Sequence, residues 1–299
     1  MKLSELGEDN LVAKILPHSQ PNARVITGAG DDCAVVRFGA AKDLLLLKTD
    51  CVVGNIHFAQ DTDASAVGWK AMMRTLSDFA AMSGIPEFAL VTLAIERKRK
   101  LSWVEKLYHG LNRAAARFQV AIVGGETSDT RGSTVVGISA AGYVERDRCV
   151  WRTGGNANDD LFVTGRLGGS IRSRHLKFIP RIDEARWLTS HFRIHAMIDL
   201  SDGLGTDLPR LARASKLGFV IEQNALPLSP GCSPEQAISD GEDYELLFAV
   251  SPRNRESLKR SWAGKFPKIP LTRIGQLTAK REIRKAKFPS GYVHFRQRR

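Results

Sequence analysis

The sequence of 299 residues is poor in cysteine, and Cys33, Cys51, Cys149 and Cys232 lie far apart in no C-x-x-C spacing. That argues against a zinc ribbon or a redox motif and leaves reduced, packed thiols as the expectation. No apolar run approaches the ~18 residues needed to cross a bilayer, and residues 1–10 carry Lys2 with no apolar segment behind it. A membrane span and a secretory signal are therefore not expected, and a cytoplasmic protein is. There is no G-x-x-x-x-G-K-[ST] loop and no G-x-G-x-x-G after a strand, which excludes P-loop and Rossmann nucleotide sites. Repeats and low-complexity tracts are absent as well.

What is present is an ordinary globular composition, 43% hydrophobic and 25% charged, in a chain long enough for two cores. The net charge of +12 is unevenly placed: from Ser251 to Arg299 there are 15 Lys and Arg against Glu256 and Glu282, a balance of +13. No aromatic-interleaved basic stripe accompanies it, so solubility or a local surface is the expected role and nucleic acid is not an expected partner.

Acidic residues recur where apolar runs end. Asp199, Ser201 and Asp202 close the run Ala196–Leu200; Asp31-Asp32, Thr49-Asp50, Ser77-Asp78 and Gly124-Gly125-Glu126 end apolar runs or lie in glycine-rich turns, and Asp240–Glu245 leads into the run Leu246–Val250. A helix N-cap accounts for Ser201 or Asp202 alone, and an i,i+4 pair with Arg74 on a solvated face accounts for Asp78 alone. Five or six such clusters together suggest one convergent site, and oxygen donors without a His or Cys pattern suit Mg²⁺ and phosphate-bearing substrates.

Periodicity predicts a helix over 3–17 stopped by Pro17, a strand at Leu44–Leu47 buried on both faces, and a helix from Ala64 to Ser83. It also predicts a helix opened by a capping box at Ser102–Glu105, and a strand Val120–Val123 that runs into a Gly124-Gly125-Glu126 turn. The order of elements in the first half reads as an α+β layer rather than a doubly wound sheet. The polar stretch Glu145–Asp160 is the best boundary, giving domains 1–145 and 146–299.

The ordered set Gly30-Asp-Asp-Cys-Ala34, Thr49-Asp50 with His57-Phe58, Lys70-Ala71 with Leu76–Met82, Gly124-Gly-Glu126, Ile198–Leu204, Gly241–Leu246, and Gly291-Tyr292 with His294-Phe295 resembles a known family. That family is the thiamine-monophosphate kinases of the PurM-like (aminoimidazole ribonucleotide synthetase-like) ATP-dependent superfamily. The resemblance implies a two-domain PurM-like fold, with a ferredoxin-like α+β N-terminal sheet layer that pairs with a second subunit in a homodimer and an α/β C-terminal domain. It implies transfer of the γ-phosphoryl of ATP to thiamine monophosphate. It further implies Mg²⁺ on Asp32, Thr49, Asp50, Asp78, Glu126, Asp199 and Asp202, with Asp32 and Asp202 as catalytic carboxylates. Nucleotide contacts would fall to Gly125, Glu126, Arg152 and Ser201, and thiamine contacts to His57, Glu242 and Tyr292.

The chain departs from the family pattern at Glu126, where Asp is usual, and at Lys48, where Ser is frequent and could ligate as the ammonium cannot. Two other readings remain open from sequence: another ATP-dependent PurM-like enzyme with a different acceptor, and a catalytically weak ATP-binding regulator.

Overall fold

Two sheets enclose a shared layer of helices in the computed structural model of the chain, which describes residues 3, 8–18, 21–39, 42–279, 289, 291 and 292. Leu6, the basic residues 280–288, His294, Phe295 and the terminal Arg296–Arg299 lie outside the described residues.

The first half runs α1 (Glu8–Ile15), β1 (Val25–Thr27), β2 (Ala34–Arg37), β3 (Leu44–Val53), α2 (Ala64–Ala81), β4 (Ile85–Glu96), α3 (Leu101–Arg117), β5 (Ala121–Thr130) and β6 (Val135–Val144). Its strands form a six-stranded sheet in the order β1-β2-β3-β6-β4-β5, antiparallel except for the β4–β5 pair at one edge. The second half continues β7 (Asp160–Thr164), α4 (Ile182–His191), β8 (Ile194–Asp199), α5 (Leu204–Ala214), β9 (Gly218–Ile221), α6 (Pro234–Ser239), β10 (Leu246–Val250), α7 (Arg255–Lys265) and β11 (Leu271–Thr278). These strands form a five-stranded sheet ordered β8-β10-β7-β11-β9, and every pairing in it is antiparallel. Among the described residues no helix is long and apolar enough to cross a membrane.

α2 is the element on which both halves close. Asp63 caps its first turn by accepting the Ala66 N–H at 3.1 Å, and Val67, Met72, Met73, Leu76 and Phe79 are fully buried. The remaining face, expected to be solvated, is buried too: Lys70 is 0% and Asp78 6% exposed. The second half covers it, so one apolar cluster includes Met72 and Leu76 from α2 together with Phe162, Leu188, Met197 and Phe248. A helix between two layers has no face left for water, which is why amphipathic periodicity misjudges this one.

Three further expectations are corrected. β3 extends to Val53 and Leu47 is 41% exposed, because among the described residues no helix covers the outer face of the first sheet. The Ser102 capping box does not form; α3 starts at Leu101 after Lys100, which makes no side-chain cap. A capping box forms instead at Ser233 and Gln236, opening α6. Finally, β5 continues through Gly124, Gly125 and Glu126 rather than turning. Gly125 permits this at φ +154, since a Cβ there would lie 1.8 Å from the Val91 carbonyl oxygen across the β4–β5 pair.

Candidate functional site: an acidic cleft joined to an apolar cavity

Strand alternation sends Lys48 and Asp50 of β3 to the inner face of the first sheet, toward α2. α2 contributes Lys70, Arg74 and Asp78 at i, i+4 and i+8, which fall on one side of the helix. β8 ends at Asp199, and the backbone then turns through Ser201 and Asp202 into α5. The loop before β10 is tied to that turn, with the Glu242 N–H donating to the Ser201 carbonyl at 2.7 Å and the Tyr244 N–H to the Leu200 carbonyl at 2.8 Å. Carboxylates far apart in sequence thus meet between the two sheets.

Ligand oxygens of Asp32, Asp78 and Asp199 all lie within 4.8 Å of one another, and all three residues are buried. Each is held by a protein side chain. Arg152 holds Asp32 through Nη2 at 2.6 Å and Nε at 3.2 Å, Lys48 reaches Asp78 at 2.8 Å, and the Ser77 hydroxyl donates to Asp199 at 2.6 Å. Around them Arg74 and Lys48 each stand 3.6 Å from Asp50, and Arg210 bridges Asp202, Asp207 and Asp9. Burial, with the negative charge of Asp32, pushes the Asp199 carboxyl up to about 7. Burial and the same neighbour raise Asp31 to about 6. Asp50 is held below the usual carboxylate range, because Lys48 and Arg74 outweigh its burial.

This polar cleft has a volume of about 530 Å³. It adjoins a second cavity of about 550 Å³, and Arg74, Ser201, Asp202 and Tyr244 line both. Ile56, Phe58, Ile171 and Leu176 make much of the second cavity apolar, and His57, Glu242 and Tyr292 face it. The Tyr244 ring stacks on Phe178 at 3.9 Å and 8°, giving the junction a rigid aromatic wall.

Beneath the apolar cavity lies a polar knot. The Lys70 ammonium donates to the His57 carbonyl at 2.6 Å and to both Glu242 oxygens at 2.8 Å, and lies 2.7 Å from His175 Nδ1. Burial opposes ionisation of Glu242, yet the hydrogen bond from His175 and the Lys70 charge bring its carboxyl down to about 2. Glu242 also sits at φ +54, a conformation uncommon for a side chain of its size. His57 Nδ1 accepts the Val53 N–H at 3.0 Å, which leaves the proton of a neutral ring on Nε2.

Of the residues singled out from sequence, Asp32, Asp50, Asp78, Arg152, Asp199, Ser201 and Asp202 gather at the polar cleft. His57, Glu242 and Tyr292 gather at the apolar cavity. Three are not brought in. Thr49 alternates to the outer face, where its hydroxyl pairs with Ser139 at 3.1 Å. Gly125 and Glu126 lie on edge strand β5, three strand positions from β3, or roughly 14 Å at ordinary strand spacing. Sequence reasoning gave no role to Lys70, Ser77, His175, Asp207 or Arg210. The i,i+3 spacing of Asp207 and Arg210 was a usable signal for that pair, whereas His175, in a one-turn helix, offered none.

The chain matches the family model described as AIR synthase related protein, N-terminal domain, over residues 30–144. It matches that described as AIR synthase related protein, C-terminal domain, over residues 121–286. The thiamine-monophosphate kinase of Rhodopirellula baltica is 35% identical over 313 residues, covering 96% of this chain and 97% of that protein. The thiamine-monophosphate kinase of Aquifex aeolicus is 33% identical over 328 residues, covering 99% and 100%. Among solved structures, AaThiL complexed with AMPPCP and TMP superposes with a TM-score of 0.84 at 31% identity, covering 98% of this chain and 99% of that one. The hydrogenase maturation protein HypE, at 17% identity and a TM-score of 0.68 over 93% of this chain and 92% of that one, shares the fold.

Proposed function

This chain belongs to the thiamine-monophosphate kinase family of AIR synthase related proteins, and from that premise we propose that its cleft transfers the γ-phosphoryl group of ATP to thiamine monophosphate, yielding thiamine diphosphate and ADP. The observation that carries this reading is the junction itself. A cleft rich in charge opens, past Arg74, Ser201, Asp202 and Tyr244, into an apolar cavity with an ionised carboxylate at its wall. Two polyanions must meet end to end in such a reaction, and the organic part of the acceptor must sit away from the phosphates.

The nucleophile is an oxygen of the acceptor's own phosphate, whose second pKa is near ~6. It is therefore anionic at neutral pH without help from a base; it bonds to the γ-phosphorus as the bond to the β-phosphate oxygen breaks, and ADP leaves. What the protein supplies is alignment and compensation of charge. Arg152, Arg74 and Arg210 present guanidinium groups around the cleft, and Ser201 offers a hydroxyl at the junction. Glu242, held ionised by Lys70 and His175, faces the cationic thiazolium ring, and the Tyr292 ring lines the same cavity.

The donor set fits Mg²⁺. The oxygens of Asp32, Asp78 and Asp199 are hard donors that lie within 4.8 Å of one another. These three would hold the ion with Asp50 and Asp202 near, and a bound Mg²⁺ would supply positive charge to offset that of the reacting phosphates. Thr49, Gly125 and Glu126 do not enter this proposal as ligands from the same chain.

The working form is proposed to be a homodimer. On the outer face of the first sheet Leu47, Ala141 and Phe88 align across β3, β6 and β4. Leu47, Phe88, Leu90 and Val123 are 41%, 49%, 46% and 58% exposed. A second copy covering that face would bury this apolar row together with edge strand β5. We also read residues 1–145 and 146–299 as its two domains.

The test is an assay of purified protein with Mg²⁺, ATP and, separately, thiamine monophosphate, thiamine and other phosphorylated acceptors. Thiamine diphosphate and ADP in equal amounts from thiamine monophosphate alone is the expected result. Nucleotide binding with no turnover on any acceptor would point instead to a regulatory ATP-binding protein.

A further inference from the structure

Lys48 and Asp50 share the inner face of β3, and the Lys48 Nζ lies 2.8 Å from Asp78 Oδ1 and 3.6 Å from Asp50 Oδ2. The ammonium therefore stands between two carboxylates delivered by different elements, β3 and α2. Asp50 and Asp78 are themselves hydrogen-bonded beside it, and Arg74 stands 3.6 Å from Asp50. A lysine ammonium has three donors and no lone pair, so Lys48 hydrogen-bonds Asp78 and cannot itself ligate a metal there. Asp78 then has two duties: its Oδ1 receives the ammonium, and its carboxylate also belongs to the group formed with Asp32 and Asp199.

We propose that Lys48 is a resident counter-cation, taking the place of one divalent ion between Asp50 and Asp78, so that this chain binds one metal ion fewer than the same cleft with an uncharged residue at position 48. The inference rests on the reading of the cleft as a Mg²⁺ site. A tethered ammonium supplies a single charge at a fixed point and cannot be removed by a chelator. It also repels any divalent ion placed in the same gap. The Asp50–Asp78 pair is accordingly balanced before nucleotide arrives, while the Asp32–Asp78–Asp199 group still requires an ion from solution.

The test counts bound Mn²⁺, used in place of Mg²⁺, by electron paramagnetic resonance of the free ion. The full-length chain is titrated with and without AMPPCP as wild type, Lys48→Ser, Lys48→Gln and Lys48→Arg. Both neutral variants are expected to bind one more Mn²⁺ per chain than wild type, and Lys48→Arg to match wild type. The metal-free neutral variants should also melt below wild type and gain more from Mn²⁺ than it does. Equal non-zero counts in wild type and both neutral variants overturn this inference alone, whereas no Mn²⁺ in any of the four overturns the metal reading with it. Should Lys48→Ser and Lys48→Gln fold only with Mn²⁺ present, the count is made there; failure to fold even in saturating Mn²⁺ overturns the proposal, because a divalent ion then does not replace the ammonium.

Discussion

Single side chains decide how much negative charge the cleft holds. Asp31, Asp32, Asp50, Asp78, Asp199, Asp202 and Asp207 meet Lys48, Arg74, Arg152 and Arg210 there, so the carboxylates outnumber their protein cations. Lys70 shows the opposite balance, a buried cation enclosed by the Glu242 carboxylate, the His57 carbonyl and the His175 ring. Its replacement in Lys70→Met leaves Glu242 without its ammonium partner, at an expected cost of about 3 kcal/mol near pH 7. The folded-state pKa of Glu242, about 2, lies below its unfolded value of ~4.3. The stability it contributes is therefore complete above that unfolded value and is lost as pH falls toward 2. Without Lys70 the folded pKa climbs, so urea melts at pH 6 and pH 3 should differ less in the variant than in wild type. An unchanged difference would remove Lys70 as the group holding Glu242 ionised. Asp199 and Asp202 are legible in the sequence because an apolar strand runs straight into them. Thr49 is legible as an outsider by alternation alone, since its neighbours Lys48 and Asp50 point the other way. Lys70 is not legible as a buried group, because helical spacing gives faces but not what covers them.

At the scale of elements, the α2–α3 crossing fixes where Lys70, Arg74 and Asp78 point. The two helices touch through glycine: a Cβ at Gly110 would lie 2.0 Å from the Ser65 carbonyl oxygen, and one at Gly68 would lie 2.1 Å from that of Leu107. Backbone cannot yield there as a side-chain tip would. Gly110→Ala is therefore expected to destabilise the protein by about 3 kcal/mol despite the better helix propensity of alanine. Thermal denaturation of the variant checks this, and a melting temperature at or above wild type would mean that the helices can separate freely. Both helices are visible in the sequence from their apolar periodicity. Their close contact is not, because glycine within a helix reads only as a weak position. The path of β5 through Gly124 and Gly125 is hidden for a related reason: glycine pairs ordinarily mark turns, and here they allow an edge strand to lie against Val91.

For the whole molecule, the division into two sheets follows the polar stretch after β6, and the order of motifs along the chain anticipates the cleft. A convergence of residues from Asp32 to Tyr292 is a tertiary fact, reached from sequence only through resemblance to a family. The uncovered face of the first sheet makes its own prediction: light scattering should give a mass of twice 33.0 kDa, and Phe88→Lys should shift it toward the monomer. A wild-type monomer at micromolar concentration would leave that apolar face without its partner. The chemistry itself is most directly tested by a single turnover with [γ-³²P]ATP, excess protein, Mg²⁺ and thiamine monophosphate, quenched on the millisecond to second scale. Label should pass from ATP into the terminal phosphate of thiamine diphosphate with no phosphoprotein along the way. Label released as inorganic phosphate at the same rate with and without thiamine monophosphate would contradict transfer between two substrates held end to end in one cleft.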